Sequence, residues 1–239
     1  MAGHSKFANI KHRKGAQDAK RAKLFTRIIK EITVAAKTSN DPGFNPRLRT
    51  AIITAKAANL PKDRITAAIS KASSMSENYE EMRYEAYGPA GTAFIVETLT
   101  DNKNRTASAI RSTFSKFGGN LAEKGSVNFL FNHIGVITYK QEIADADEVF
   151  EVAVEAGAES VELEEELHII TTSIENFAKV RDALMEKYSD PESLGIEWIA
   201  ENMLELDAAK QESITKIIDA LEDDDDVQNI FTNANLDQE

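Results

Sequence analysis

TAFIVETLTDNKNRTASAIRSTFSKFGG, residues 92–119, reads as a strand that runs into a helix. Residues 92–100 are rich in β-branched and apolar side chains, as a buried strand requires. Past Asp101 the spacing changes: Ala107, Ile110, Phe114 and Phe117 recur at helical steps and predict a helix over about 103–117. Gly118-Gly119-Asn120 then supplies a left-handed cap. The same succession returns along the chain. Strands are expected at 126–131, 135–140, 160–165, 167–172, 194–199, 202–206 and 227–233. Helices are expected near 146–156, 174–188 and 208–222, the second with Phe177, Val180, Leu184 and Tyr188 on one face. The order is a strand–helix–strand unit repeated four times. Two such units make a βαββαβ sandwich of the ferredoxin-like type. Four make two sandwiches, paired either consecutively or with the middle pair nested inside the outer pair, and periodicity leaves that choice open.

The region before residue 79 has another character. Residues 1–14 are polar and basic and read as an arm. A helix follows over about 17–38, with Leu24, Phe25, Ile28, Ile29, Ile32 and Ala36 forming an apolar stripe. Lys20, Lys23, Arg27 and Lys30 recur on a roughly opposite face. SNDPGFNP (39–46) breaks the chain, and Asn45-Pro46 reads as a cap followed by a first-turn proline. Helices near 46–58 and 61–72 follow, with Leu60-Pro61 as the corner and ASSMSEN (72–78) as a linker. The expected fold class is therefore α+β, a helical N-terminal domain followed by ferredoxin-like α/β domains.

Charge is divided as sharply as structure. Residues 1–71 carry 16 Lys+Arg against 4 Asp+Glu, a net of +12; the whole chain is −12, which leaves −24 on residues 72–239. A basic segment concentrated at one end of an acidic chain is a patch for polyanions. No apolar run approaches the roughly 20 residues of a membrane span, and MAGHSKFANIKHRK has no apolar signal core. With no cysteine, disulfides and thiolate chemistry are excluded. A cytoplasmic protein with no membrane partner is expected.

The leading candidate site is the arm and first helix. Lys6, Lys11, His12, Arg13, Lys14, Lys20, Arg21, Lys23, Arg27 and Lys30 supply cations, and Phe7 supplies a face for a base. Phosphate neutralisation gives most of the affinity of such a surface, and stacking adds about 1–3 kcal/mol per base. The alternative is a solvated helix face, but such faces mix signs and this one scarcely does. A second candidate is the corner DNKNRT (101–106), where Asn102, Lys103 and Arg105 stand at a helix start that favours anions; a capped polar turn is the competing reading. The run Glu222-Asp223-Asp224-Asp225-Asp226 lacks the spaced ligands of a calcium loop and reads as a solvated turn. His133 and His168 are isolated and read as packing residues. No GxSxG, HExxH or GxxxxGK[ST] string occurs, so no catalytic residue, metal site or cofactor is expected.

The opening AGHSKFANIKHRKGAQDAKRAKLFTRIIKEI closely resembles the start of the YebC/PmpR family of probable transcriptional regulatory proteins, which also includes the mitochondrial translational activator of cytochrome c oxidase. The resemblance continues through NPRLRTAI (45–52), YGPAGTAFIVETLTDNKNRT (87–106), FSKFGGNLAEKGSV (114–127) and ALEDDDDVQNIFTN (220–233). Phe7 stands where the family usually has Trp, and Ala86 and Ala90 replace common glycines. The resemblance implies three domains with the third inserted into the second: 1–78, then 79–133 plus 201–239, then 134–200. It also implies a regulator of gene expression that binds nucleic acid, either as a DNA-binding transcription factor or as an RNA- or ribosome-associated translation factor. The residues themselves bear on that division. Helices 46–58 and 61–72 have the outline of a helix-turn-helix, but the second offers Lys62, Arg64 and Lys71 and no Asn or Gln series for base edges. On the RNA or ribosome reading the acidic α/β domains suit a basic protein partner; a third reading is a protein-interaction module without nucleic acid, its basic segment docking on an acidic partner.

Overall fold

The computed structural model describes residues 18–72, 78–164 and 166–236. The helices among them are α1 (Asp18–Ala36), α2 (Pro46–Ala57), α3 (Lys62–Ala72), α4 (Lys103–Lys116), α5 (Ala146–Ala156), α6 (Ile174–Tyr188) and α7 (Ala208–Glu222). The strands are β1 (Glu80–Tyr87), β2 (Ala93–Thr100), β3 (Asn120–Leu121), β4 (Phe131–Lys140), β5 (Ser160–Glu164), β6 (Leu167–Thr172), β7 (Ser193–Ala200) and β8 (Val227–Thr232). They form two four-stranded sheets, ordered β3-β1-β2-β8 and β5-β6-β4-β7. Two compact units result. The first gathers the described parts of Met1–Arg27, Ser76–Asn132 and Trp198–Glu239, and the second those of Ile28–Met75 and His133–Glu197.

In the second unit β4-α5-β5-β6-α6-β7 follows the βαββαβ order, and its sheet has the ferredoxin-like sequence of strands. Tyr139 lies opposite His168 and Ile137 opposite Ile170, so that alternate residues of β4 and β6 share one face. Ile137, Tyr139 and Ile170 pack there with Val149 and Ala153 of α5, Phe177, Val180 and Leu184 of α6, and Ile53 of α2. Burying each of the larger side chains contributes roughly 1.5–3 kcal/mol. α2 is aligned by its cap. The Asn45 side-chain oxygen accepts the Leu48 N–H at 3.0 Å, and its amide donates to the Ala35 and Ser39 carbonyls at 2.8 and 2.7 Å. One asparagine thus starts α2 and ends α1. His168 is buried with Nε2 3.0 Å from the Ala144 carbonyl, a packing role.

The first unit reaches the same strand order by another route. β2, α4 and β3 correspond to the first strand–helix–strand, but the remaining central position is filled by β1, which precedes β2 in the chain. α7 and β8 complete the sheet after the chain has passed through the second unit. One face of the sheet packs Ala86, Phe94 and Val96 against Ile110 and Phe114 of α4 and Ile214, Ile217 and Leu221 of α7. The Phe94 and Phe114 rings meet edge to face at 5.2 Å. The other face, with Ala93, Ile95 and Phe231, is covered by Val127, Phe131, Trp198 and Ala200. Trp198 donates to a Glu97 carboxylate oxygen at 3.0 Å and lies under the Arg83 guanidinium at 4.7 Å.

Besides β3, a two-residue strand at Asn120–Leu121 where a helix cap was expected, three strand expectations change. β1 was not expected, because EEMRYEAY carries four charged residues, Glu80, Glu81, Arg83 and Glu85, among eight. Glu85 is nevertheless buried and satisfied by the backbone N–H groups of Gly125, Val127 and Asn128 at 2.8, 2.8 and 3.2 Å. That bonding also explains the second difference. With Val127 and Asn128 donating to a side chain, 126–130 forms a turn and a short 3-10 segment, and the strand begins at Phe131. Third, 202–206 makes an isolated bridge, Leu204 to Ala234, and no strand.

Candidate nucleic-acid interface

α1 buries Ile28, Ile32, Ala35 and Ala36 and leaves Leu24 partly exposed. Lys6, Phe7, Lys11, His12, Arg13 and Lys14 lie outside the described residues, and Lys20 stands on α1 with its side chain likewise outside them. Arg21 is exposed, its guanidinium 5.4 Å from the Phe25 ring centre. Lys23 and Arg27, one turn apart, meet the end of α7. Lys23 Nζ reaches the Asp223 carboxylate at 2.5 Å, and Arg27 donates to the Glu222 carbonyl at 2.6 Å. A helix C-terminus carries partial negative charge and unpaired carbonyls, so two cations there serve as its cap. The acidic run after α7 is therefore more than a solvated turn: Asp223 pairs with the basic helix. Exposed pairs of this kind contribute about 0–1 kcal/mol and exchange readily for another anion. Lys30 lies one turn beyond Arg27 and is half-buried.

The two helices that follow are differently placed. Arg47 grips the Glu31 carboxylate through two nitrogens at 2.7 and 3.0 Å. Arg49 bonds to Asp182 at 2.9 Å and to the carbonyls of Pro42 and Gly43, and Lys56 to Asp190 at 3.2 Å. The cations of α2 thus fasten the unit to which they belong. On α3, Lys62, Arg64 and Lys71 are exposed.

At the DNKNRT corner the Asn102 side chain caps α4 by accepting the Arg105 N–H at 3.1 Å. Arg105 reaches Asp226 and Asp101, both at 2.7 Å, and Lys103 lies 3.6 Å from Glu80. The same Asp226 oxygen accepts the hydroxyls of Thr100 and Thr106 at 2.9 and 2.8 Å. Hydrogen bonds to Asp226 and then Asp101 raise the Arg105 pKa above its already high value. The anion at this corner is one of the chain's own: Asp226 is buried, unlike the solvated run expected of 222–226. Asn102, Lys103 and Arg105 are brought together, but each has an internal partner. The pairing of 222–226 with both α1 and α4 was the feature hardest to foresee, since those contacts span about 120 to 200 residues of sequence.

Residues 5–75 match the family model for the TACO1/YebC protein N-terminal domain, and residues 79–234 match that for the TACO1/YebC second and third domain. A protein of Rickettsia bellii named "Probable transcriptional regulatory protein" is 55% identical over 243 residues, covering 100% of this chain and 95% of that one. A relative of the same name from Rickettsia felis is 54% identical over 240 residues, covering 99% and 95%. The crystal structure of a conserved hypothetical protein from Aquifex aeolicus matches with a TM-score of 0.84 at 40% identity, over 98% of both chains. Among the described residues no helix is long and apolar enough to cross a membrane.

Proposed function

The chain belongs to the TACO1/YebC family, and from that premise we propose that it is a nucleic-acid-binding regulator of gene expression whose polyanion surface is the basic arm and α1. The observation that carries this reading is the net +12 of residues 1–71 in a chain of −12. Lys6, Phe7, Lys11, His12, Arg13, Lys14, Lys20, Arg21, Lys23, Arg27 and Lys30 are its contact residues. Lys23 exchanges the Asp223 carboxylate, and Arg27 the Glu222 carbonyl, for phosphate when nucleic acid arrives. The proposed organisation is a basic helical domain, 1–78, on two α/β domains, 79–133 plus 201–239 and an inserted 134–200. We expect phosphate recognition with weak base discrimination. α2 commits Arg47, Arg49 and Lys56 to carboxylates, and α3 offers Lys and Arg without the Asn and Gln that read adenine.

The test is fluorescence anisotropy with the full chain on duplex DNA and on structured RNA, titrated with salt. The test variant reverses Lys11, Arg13 and Lys14 to Glu. It should weaken binding to both and reduce the log–log salt slope by about 1 per lost phosphate contact. Equal affinity of variant and native chain at every salt concentration defeats the assignment. A cognate DNA fragment that competes about a thousandfold better than a scrambled one identifies a sequence-specific transcription factor. Preference for RNA over any duplex identifies action on translation.

A further inference from the structure

α5 has two exposed stripes that the sandwich does not use. Val149, Ala153 and Ala156 already bury its inner face. On the outside Phe150 and Val154, one turn apart, are 51% and 43% exposed. Asp147 and Glu151 flank them at helical steps, and Glu155 continues the acidic side. Between residues 144 and 158 the chain carries Asp145, Asp147, Glu148, Glu151 and Glu155 and no Lys or Arg. Asp145, Asp147, Glu148 and Glu151 also line a shallow concavity together with Ala146. Lys187 neutralises Glu148 at 2.8 Å. Glu155 stands in the last turn, where the helix dipole disfavours negative charge, and Glu151 is four residues from both Asp147 and Glu155, where like charges repel. Neither the apolar pair nor these late carboxylates help the helix fold or pack.

We infer that the outer face of α5 is a docking surface for a basic protein segment that presents an apolar side chain between Lys or Arg residues. The choice of occupant rests on charge complementarity. Nucleic acid is repelled by the acidic stripe, whereas a cationic polypeptide is drawn to it and can bury its apolar anchor against Phe150 and Val154. The inference is independent of the nucleic-acid assignment, which uses residues of the arm and α1 and none of α5.

The experiment uses the full chain and a fluorescein-labelled amphipathic helical peptide of Leu and Lys. An oligolysine of equal charge and a Leu/Glu peptide serve as controls. The Leu/Lys peptide should bind in preference to both. Replacing Phe150 and Val154 together by Ala should weaken it about tenfold or more, as loss of a central apolar anchor does. Asp147→Lys with Glu151→Lys should weaken it similarly and flatten its salt dependence. Amide NMR shifts should cluster in 146–156, and saturating RNA should leave peptide affinity unchanged. Thermal melts should stay close to that of the native chain, since the altered side chains are exposed and a charge change along the helix is worth only about 0.3–1 kcal/mol. Unchanged peptide affinity in the Phe150/Val154 variant overturns the proposal, as does equal binding of oligolysine. Sedimentation showing a dimer of the native chain that the same variant abolishes overturns it in favour of a second copy.

Discussion

In the first unit the carboxylates of Glu85 and Asp226 lie inside the sandwich, at 2% and 7% exposure, each gripped by at least three donors. In the second unit the carboxylates of α5 point outwards around an exposed Phe150. The two sheets share one strand order, so topology does not account for the contrast. Connectivity does. The second unit closes its sheet with consecutive elements and short turns. The first must hold β1 beside β3, steer the chain out through 122–131, and receive α7 and β8 about a hundred residues later. Glu85 sits at the exit and Asp226 at the return. A buried carboxylate with several donors aligns segments that hydrophobic contact alone leaves free to slide. Carboxylates inside should therefore register as stability, and carboxylates outside as recognition.

The largest expected effect is at Glu85. Glu85→Ala orphans the N–H groups of Gly125, Val127 and Asn128 together, and should cost roughly 3–5 kcal/mol in urea unfolding. Glu85→Gln keeps an acceptor and should cost about 1–2 kcal/mol. pH provides a second check. Burial pushes the Glu85 carboxyl up, but hydrogen bonds from Val127, Gly125 and Asn128, with the nearby Arg83 charge, hold it below its usual range. A depressed native pKa means stability that is present above the unfolded value of about 4.3 and lost as pH falls through the native value. The gap between native chain and Glu85→Gln should be constant above about pH 5 and shrink below 4. A gap that widens on acidification would contradict the bonding described for Glu85.

Asp226 comes next. Asp226→Asn removes the charge that Arg105 answers and leaves an amide facing two hydroxyls and a guanidinium, an expected loss of about 1–3 kcal/mol by thermal or chemical unfolding. Arg105 retains Asp101, which moderates the effect. If Asp226→Asn is neutral, the return of α7 and β8 is held by apolar packing alone, and the contrast between the units loses half its basis.

These two carboxylates also mark where sequence reading stops. The helices of both units follow from apolar spacing, as at Ile110 and Phe114 or Val180 and Leu184, because those residues fill one core. β6 was legible from its β-branched run at 169–172, and β5 from the apolar alternation of Val161 and Leu163. β1 was not, since Glu85 on a strand looks like solvent-facing charge until its three donors are known from segments about 40 residues away. The basic surface of α1 was legible as a density of one sign. Its pairing with Asp223 was not, because periodicity carries no information about which helix end lies beside which helix.

Strain in the connections tests whether the units differ elsewhere. Both hairpins hold a side chain in the left-handed region, Ala90 at φ 61° between β1 and β2, and Glu166 at φ 67° between β5 and β6. Ala90→Gly should relieve left-handed strain and stabilise by about 0.5–1 kcal/mol, net of the entropy that glycine adds to the unfolded chain. Glu166→Gly should gain about the same. A gain at one hairpin and none at the other would show that the contrast extends beyond carboxylates.

The smallest effect has the opposite sign to the first two. Glu155 stands in the last turn of α5, which has no basic residue to offset the negative end of the dipole, and Glu151 is four residues from both Asp147 and Glu155, where like charges repel. Their replacement by Gln should stabilise the chain by about 0.3–0.5 kcal/mol each, a gain that fades as salt screens the helix end. The measurement is a chemical-unfolding series at low and at high ionic strength, with Glu85→Gln run beside it. Stabilisation by Glu151→Gln, against destabilisation by Glu85→Gln at the same pH, makes the outer acids a liability to folding that persists for another reason. The double variant should also lose affinity for the Leu/Lys peptide. If Glu151→Gln instead destabilises, its carboxylate has an intramolecular role in α5, and the docking surface reduces to the apolar pair Phe150 and Val154.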